Sequence, residues 1–157
     1  MTIALRLLLD ADAAWLDGWL APVAASVGYE LRGRSTKPTA RRSTKGTKVE
    51  VVRTKVIVRD GVDVGVAVYR PAAPTRGSAI IELVATLPAF ARRGSGMMAA
   101  ALIEEELRAG GVLRLYAPAP AVHGIAMYFW IRLGYRPLLR AQWPCEAEGV
   151  AWLVREL

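Results

Sequence analysis

The chain has 157 residues, of which 54% are hydrophobic, so it is long enough to bury a core and too apolar to be mainly disordered. No apolar run reaches the length of a membrane span, and Arg6 and Asp10 interrupt the only candidate N-terminal signal. We therefore expect one domain over residues 1–157, in the cytoplasm and without a membrane partner. A single cysteine, Cys145, excludes an internal disulfide, and a single histidine, His123, argues against a zinc site.

The formal net charge of +7 originates in one segment of the chain. Residues 31–48 carry seven basic side chains and no acid, whereas the remainder has 14 basic and 14 acidic residues. Because the segment is rich in Gly, Ser, Thr and Pro, we expect a flexible basic loop. The basic side chains are either simply solvated, or they form a contact surface for a polyanion such as RNA or for an acidic substrate. The basic residues are Arg32, Arg34, Lys37, Arg41, Arg42, Lys45 and Lys48.

The first half of the chain predicts a strand, a helix and a hairpin. Residues 2–9 favour a strand, and Asp10 and Asp12 then suit the start of a helix. Apolar residues follow at helical spacing, namely Trp15, Leu16, Trp19, Leu20 and Val23. We expect this face to be buried, with a substrate-pocket wall as the alternative role of the two tryptophans. Residues 49–59 and 62–69 predict antiparallel strands around Asp60-Gly61, which is a strong hairpin signal.

The second half predicts alternating strands and helices. Residues 71–77 favour a looser turn, and residues 80–87 form a strand that Pro88 ends. No helix breaker lies between Gly96 and Gly110, so a helix is expected there. Residues 112–116 should form a strand parallel to 80–87 after this crossover. A second helix at 121–133 and strands at 135–140 and 150–155 complete the pattern.

The stretch from Pro88 to Arg108 predicts an anion-binding site between a strand and a helix. Gly94 and Gly96 have no Cβ, so backbone N–H groups there can approach a ligand closely. The first N–H groups of the helix have no partner within it and carry the positive end of its dipole. Arg92 and Arg93 add positive charge. The alternative is a tight turn with two solvated arginines.

Two common nucleotide motifs do not fit this stretch. Residues 94–99 match the loose Gly-x-Gly-x-x-Gly/Ala dinucleotide fingerprint, but that motif requires an acid about 20 positions later, at the end of the next strand. The next strand ends Leu115-Tyr116-Ala117-Pro118, without an acid. A P-loop would require Gly-Lys-Ser/Thr, which is absent.

The order of elements from 49 to 135 resembles the GCN5-related N-acetyltransferase superfamily. Its Gln/Arg-x-x-Gly-x-Gly/Ala motif, which binds the pyrophosphate of acetyl-coenzyme A, reads Ala91-Arg92-Arg93-Gly94-Ser95-Gly96 here. Ala91 thus replaces the leading Gln/Arg, and a neighbouring arginine is expected to supply the charge. The family's Asn-x-x-Ala-x-x-x-Tyr-x-x-x-Gly-Phe signature aligns with His123, Ala126, Trp130, Gly134 and Tyr135.

The resemblance implies an α/β (α+β) fold. Its mixed, mostly antiparallel central sheet has about six to seven strands, with helices on both faces and a parallel pair splayed at the cofactor cleft. It also implies acetyl transfer from acetyl-coenzyme A to a primary amine by direct attack in a ternary complex. The acceptor would be a small molecule, peptide or protein. The cofactor-binding residues expected from the resemblance are Val84, Ala85, Thr86, Leu87, Arg92, Arg93, Gly94, Ser95, Gly96, Met97, His123 and Trp130.

Proton transfer requires further groups. An amine with a pKa near 10.4 loses its proton at neutral pH at a cost of about 4 kcal/mol, so a base is expected. Glu82 is the only carboxylate within the strand at 80–87, and strict alternation places it on the face of Val84 and Thr86. It is either the base or half of an ion pair with a basic residue of a neighbouring strand. Tyr116 and Tyr128 are the candidate acids.

Three functions remain open from the sequence. The first is an N-acyltransferase. The second is a coenzyme A-binding module with weak or no catalysis, because Trp130 replaces the tyrosine that often serves as the acid, and an indole N–H does not transfer its proton. The third is an acetyltransferase or binder that acts on RNA-bound amines through the basic loop. A homodimer is also left open.

Overall fold

The computed structural model describes residues 1–26, 40–42, 49–145 and 148–157. The helices are α1 (Ala13–Asp17), α2 (Leu20–Ser26), α3 (Ser95–Ala109) and α4 (Gly124–Arg132). The strands are β1 (Ile3–Leu7), β2 (Ala40–Arg42), β3 (Val49–Val51), β4 (Arg53–Arg59), β5 (Val62–Pro71), β6 (Ser78–Thr86), β7 (Arg114–Pro120), β8 (Arg136–Pro137) and β9 (Val150–Glu156). Seven of them form one sheet in the order β1-β4-β5-β6-β7-β9-β8, and β2 pairs with β3. Only the β6–β7 pair of the large sheet is parallel, which confirms the predicted mixed sheet.

Helices cover both faces of the large sheet, as predicted. On one side, which we call the α3 face, Ile103 of α3 and Trp130 of α4 pack against buried residues of the strands β5, β6, β7 and β9. On the other side, the α1 face, Leu16 and Trp19 pack against β4, β5 and β6. The sheet is therefore buried from both sides, and its interior apolar residues hold the layers together.

Local sequence signals explain several connections. Asp60 and Gly61 have φ angles of 49° and 82°, so this two-residue hairpin turn has the left-handed backbone that suits the twist of its strands. The predicted first helix is interrupted near Gly18 and consists of the two short helices α1 and α2. Its predicted buried face is confirmed at Leu16, Trp19 and Leu20.

Other predicted boundaries change in the structure. The helix predicted over 121–133 begins only at Gly124, and the strand predicted over 135–140 is limited to β8. Within the predicted basic loop at 31–48, Ala40–Arg42 forms a strand, and the other residues of that loop lie outside the described ranges. In the described part of the chain, the helices are too short or too polar to cross a membrane.

A buried polar network joins α3 to the end of α4 and to β9. The Tyr135 hydroxyl donates to Glu104 Oε1 at 2.8 Å, and Arg155 Nη1 donates to Glu104 Oε2 at 2.6 Å. Arg155 Nη1 also donates to the carbonyl oxygen of Leu133 at 2.7 Å. Burial raises the pKa of the Glu104 carboxyl and, together with the nearby carboxylate, that of Tyr135. One carboxylate thus satisfies two donors from distant parts of the chain.

Removing this carboxylate should destabilise the fold. We expect Glu104→Ala to lower the free energy of unfolding by about 2–3 kcal/mol, because it leaves the Tyr135 hydroxyl and the Arg155 guanidinium without their shared acceptor. The loss is smaller than for a fully buried pair because Arg155 retains 31% of its side-chain exposure. Urea unfolding measures it. Glu105→Ala, which removes the same charge from the exposed neighbouring position, is the control, and equal unfolding free energies would contradict the prediction.

Candidate functional site

The parallel strands β6 and β7 separate along their length. They pair only at Ser78–Arg114, Ala79–Leu115 and Ile80–Tyr116. Beyond these pairs, β6 continues to Thr86 and β7 to Pro120, each bonded to its other neighbour. We call the opening between residues 81–86 and 117–120 the fork. It corresponds to the splayed parallel pair that the family resemblance implied.

One edge of β6 is exposed to the fork. The Leu87 N–H donates to the carbonyl oxygen of Val64 on β5 at 2.8 Å. Because hydrogen-bonded pairs alternate along an antiparallel ladder, the backbone groups of Ala85 also point to β5, and those of Val84 and Thr86 point into the fork. Among the described residues, no strand pairs with this edge. Of the residues 84–87 that were predicted to bind the cofactor through their backbone, only Val84 and Thr86 therefore direct their N–H and C=O groups into the fork.

The loop over 91–96 leads from the turn after β6 into the first two residues of α3 and has an unusual backbone. Arg92 and Gly94 have φ angles of 58° and 81°, in the left-handed region. Where left-handed residues alternate with right-handed ones, successive N–H groups turn toward one side, and such a backbone can bind an anion. The α3 helix follows at once, and its first turn adds N–H groups that have no carbonyl acceptor within the helix. Arg92 and Arg93 are exposed beside it.

Gly94 and Gly96 differ in whether their backbone conformation requires glycine. The φ of 81° at Gly94 explains why a residue without Cβ stands there. Gly96 has ordinary helical backbone, but a Cβ at its position would lie 3.4 Å from Val84 Cγ1 and 3.5 Å from Phe129 Cε2. Both distances are ordinary van der Waals contacts, so the packing of α3 against β6 and α4 does not by itself require glycine at position 96. The sequence does not predict the left-handed conformation of Arg92, because arginine has no preference for it.

Glu82 does not lie on the face predicted for it. Leu83 pairs with Val68 and Ile81 with Tyr69, so Glu82 is the extra residue of a β-bulge. The bulge breaks the strict alternation along β6. Val84 consequently packs on the α3 face, as does Ile81, whereas Leu83 packs on the α1 face.

The partner of Glu82 shows where its carboxylate lies. Arg70 Nε is 2.5 Å from Glu82 Oε1. Arg70 follows the α3-face residue Tyr69 on β5, so alternation places Arg70 and its ion partner on the α1 face. The prediction that Glu82 shares a face with Val84 and Thr86 is therefore wrong. The interstrand ion pair that the sequence left as an alternative is present, with side-chain exposures of 17% and 5%.

Tyr116 lies on the same face as Glu82. It is opposite Ile80, at the last pair before the fork, and packs with Ile80 and Trp152 in a cluster separate from the α3-face core. Glu82 and Tyr116 thus lie on the same face, near the base of the fork. Tyr128, the other candidate acid, is 60% exposed on α4, with the Arg132 guanidinium carbon 5.8 Å from its ring centre.

His123 and Trp130, which were predicted to contact the cofactor, both interact with other residues of the protein. His123 is the N-cap of α4, where its Nδ1 accepts a hydrogen bond from the Ala126 N–H at 3.4 Å. Trp130 is 4% exposed, and its ring centre lies 5.0 Å from that of Tyr135. Both are explained by helix capping and core packing, and Trp130 has almost no surface left for a ligand.

No protein-family model matches the chain, and no curated protein matches it. Solved structures do. An acetyltransferase from Thermus thermophilus is 22% identical over 100% of this chain and 98% of that one, with a TM-score of 0.75. A GCN5-related N-acetyltransferase from Kribbella flavida is 20% identical over 99% and 98%, with a TM-score of 0.69.

A third match was solved with a ligand. The PaiA N-acetyltransferase from Thermoplasma acidophilum, in complex with coenzyme A, is 11% identical over 100% of both chains, with a TM-score of 0.69. At these identities the likeness concerns the arrangement of helices and strands. The seven-stranded mixed sheet agrees with that likeness, and the chain has the fold of the GCN5-related N-acetyltransferase superfamily.

Proposed function

We propose that this protein transfers an acetyl group from acetyl-coenzyme A to a primary amine. The observation that carries the proposal is the combination of the fork with the loop over 91–96. An unpaired backbone edge and a loop with two left-handed residues, which leads into the N-terminus of α3, lie in succession along one segment of chain. A pantetheine arm offers amides for such an edge, and a diphosphate suits such a loop. The match to a structure that contains coenzyme A supports this ligand.

In this proposal the cofactor is held mainly by backbone. Val84 and Thr86 would bind the amides of the pantetheine arm, and the N–H groups around Gly94 and Ser95 would bind the diphosphate. Arg92 and Arg93, exposed beside the loop, would add charge–charge attraction that salt weakens. His123 and Trp130 have no assigned role in this binding, because His123 caps α4 and Trp130 is buried against Tyr135. Met97 lies in the first turn of α3, beside the N–H groups at the start of that helix.

The acceptor amine would react on the α1 face. Its nitrogen attacks the thioester carbonyl carbon, the carbon–sulfur bond breaks, and the sulfur leaves as a thiolate. Glu82 would take the proton that the ammonium group loses before attack, and the Tyr116 hydroxyl would give its proton to the sulfur. The second proton that the nitrogen loses as the amide forms would restore the Tyr116 hydroxyl. Most of the rate gain would come from holding the amine and the thioester together in attack geometry. The acceptor would be a small molecule, a peptide or a protein.

A test of cofactor binding uses Gly94. We expect Gly94→Val to weaken coenzyme A binding by about tenfold or more, because an L-residue with a branched Cβ resists the left-handed backbone of this turn. Isothermal titration of coenzyme A into both proteins measures the change. Gly111→Val is the matched control, since Gly111 has a φ of 89° beyond the other end of α3 and has open space around it. Equal dissociation constants for the two variants would place the ligand elsewhere.

A further inference from the structure

Arg59, the last residue of β4, contacts the loop over 91–96 although it is distant in the sequence. Its Nη1 donates to Ser95 Oγ at 3.2 Å and to the carbonyl oxygen of Arg93 at 3.4 Å. Ser95 is 1% exposed. The Arg59 side chain is 21% exposed, and its Nε lies 3.8 Å from Asp60 Oδ2. One guanidinium therefore ties the β4–β5 hairpin to the start of α3.

The two acceptors of Arg59 lie on either side of the left-handed turn. Arg93 precedes Gly94 and Ser95 follows it, so the guanidinium holds both flanks of the turn. The residue before them, Arg92, is a non-glycine residue in the left-handed region. Such a conformation costs free energy and persists where the surrounding structure holds it in place. Arg59 supplies contacts of this kind from outside the loop.

We propose that Arg59 is a positioning residue for diphosphate binding in this loop. The inference rests on the proposed function, because the diphosphate is that of coenzyme A. Arg59 acts through the Arg93 carbonyl and the Ser95 hydroxyl, which fix the direction of the neighbouring N–H groups. A guanidinium is a rigid planar group with several donors, whereas a lysine ammonium is a flexible point charge. Geometry as well as charge is therefore required at position 59.

The experiment compares ligands that differ in the diphosphate. Isothermal titration is performed with coenzyme A, pantetheine and inorganic pyrophosphate on the wild type, Arg59→Ala, Arg59→Lys and Arg76→Ala. We expect Arg59→Ala to weaken coenzyme A and pyrophosphate binding by about tenfold and to leave pantetheine unchanged. Arg59→Lys should lose nearly as much. Arg76→Ala, which removes the same charge from an exposed turn before the start of β6, should bind like the wild type.

Several results would overturn the proposal. These are wild-type affinity in Arg59→Ala, complete rescue by Arg59→Lys, and equal weakening of pantetheine, which would indicate general damage to the cleft. The proposed function can fail separately. If the wild type binds pyrophosphate but not coenzyme A, the function is wrong, and the pyrophosphate ratio between Arg59→Ala and the wild type still decides the role of Arg59. If the wild type binds neither, both are wrong.

Discussion

Glu82→Gln is expected to lower the turnover number for an alkyl amine by about 100-fold or more, with unchanged coenzyme A affinity. Glutamine keeps the size and the hydrogen-bonding capacity of glutamate but cannot accept the proton that an ammonium group must lose. The proposed cofactor contacts are backbone groups of Val84 and Thr86 and the loop before α3, so they do not depend on this carboxylate. Steady-state kinetics for turnover and titration of coenzyme A for affinity separate the two effects.

Two comparisons distinguish a base from a structural ion partner. Arg70→Gln breaks the same ion pair from its other side, so a purely structural Glu82 predicts equal losses in both variants. An aryl amine is already neutral at pH 7 and needs no base for the first proton. A base therefore predicts that the defect of Glu82→Gln shrinks with an aryl amine. Equal losses in the two variants, independent of the amine, would remove Glu82 from the chemistry.

Gly65→Ala is expected to cost about 3 kcal/mol of unfolding free energy or more, which is large for a single added methyl group. A Cβ at Gly65 would lie 2.3 Å from the carbonyl oxygen of Ala85 and 3.0 Å from the Cα of Thr86. Both are backbone atoms of β6, so the strand itself must move. That movement would displace the edge of Val84 and Thr86, and we expect coenzyme A binding to weaken in the fraction of protein that remains folded.

Chemical denaturation and coenzyme A titration measure these two losses. Gly124→Ala is the matched control, because Gly124 is the first residue of α4 and an added Cβ would meet nothing within 4 Å. Alanine is also the better helix former, so this control should be neutral or slightly stabilising. Equal unfolding free energies for Gly65→Ala and Gly124→Ala would contradict the prediction, because they would show that β6 can shift to accommodate the added methyl group at little cost.

The cofactor loop illustrates what can be predicted from nearby residues. The sequence predicts an unusual turn at Gly94, and its left-handed φ agrees. The sequence treats Gly94 and Gly96 alike, whereas only Gly94 has a left-handed backbone in the structure. Gly65 carries a usable signal, because glycine within a strand pattern often marks a bulge or a close backbone contact.

The catalytic candidates illustrate the opposite case. Periodicity places Glu82 on the wrong face, because a single bulged residue reverses the alternation of all residues that follow it. A bulge depends on the pairing between two strands, and the residue types around Glu82 do not predict one. Trp130 matches a motif position in the sequence, but its burial against Tyr135 depends on how α4 packs on the sheet.

Residue patterns alone were enough to predict the order of strands and helices from β4 to β9, the hairpin at Asp60-Gly61 and the glycine turn before α3. Those features depend on residue periodicity and on backbone preferences within a few residues, which a single chain displays directly. Three features required the folded chain, namely the face that carries Glu82, the backbone groups of β6 that reach the fork, and the contacts of Arg59 with both flanks of Gly94. Each of these depends on strand register or on contacts between residues far apart in the chain, and these are set when the layers pack.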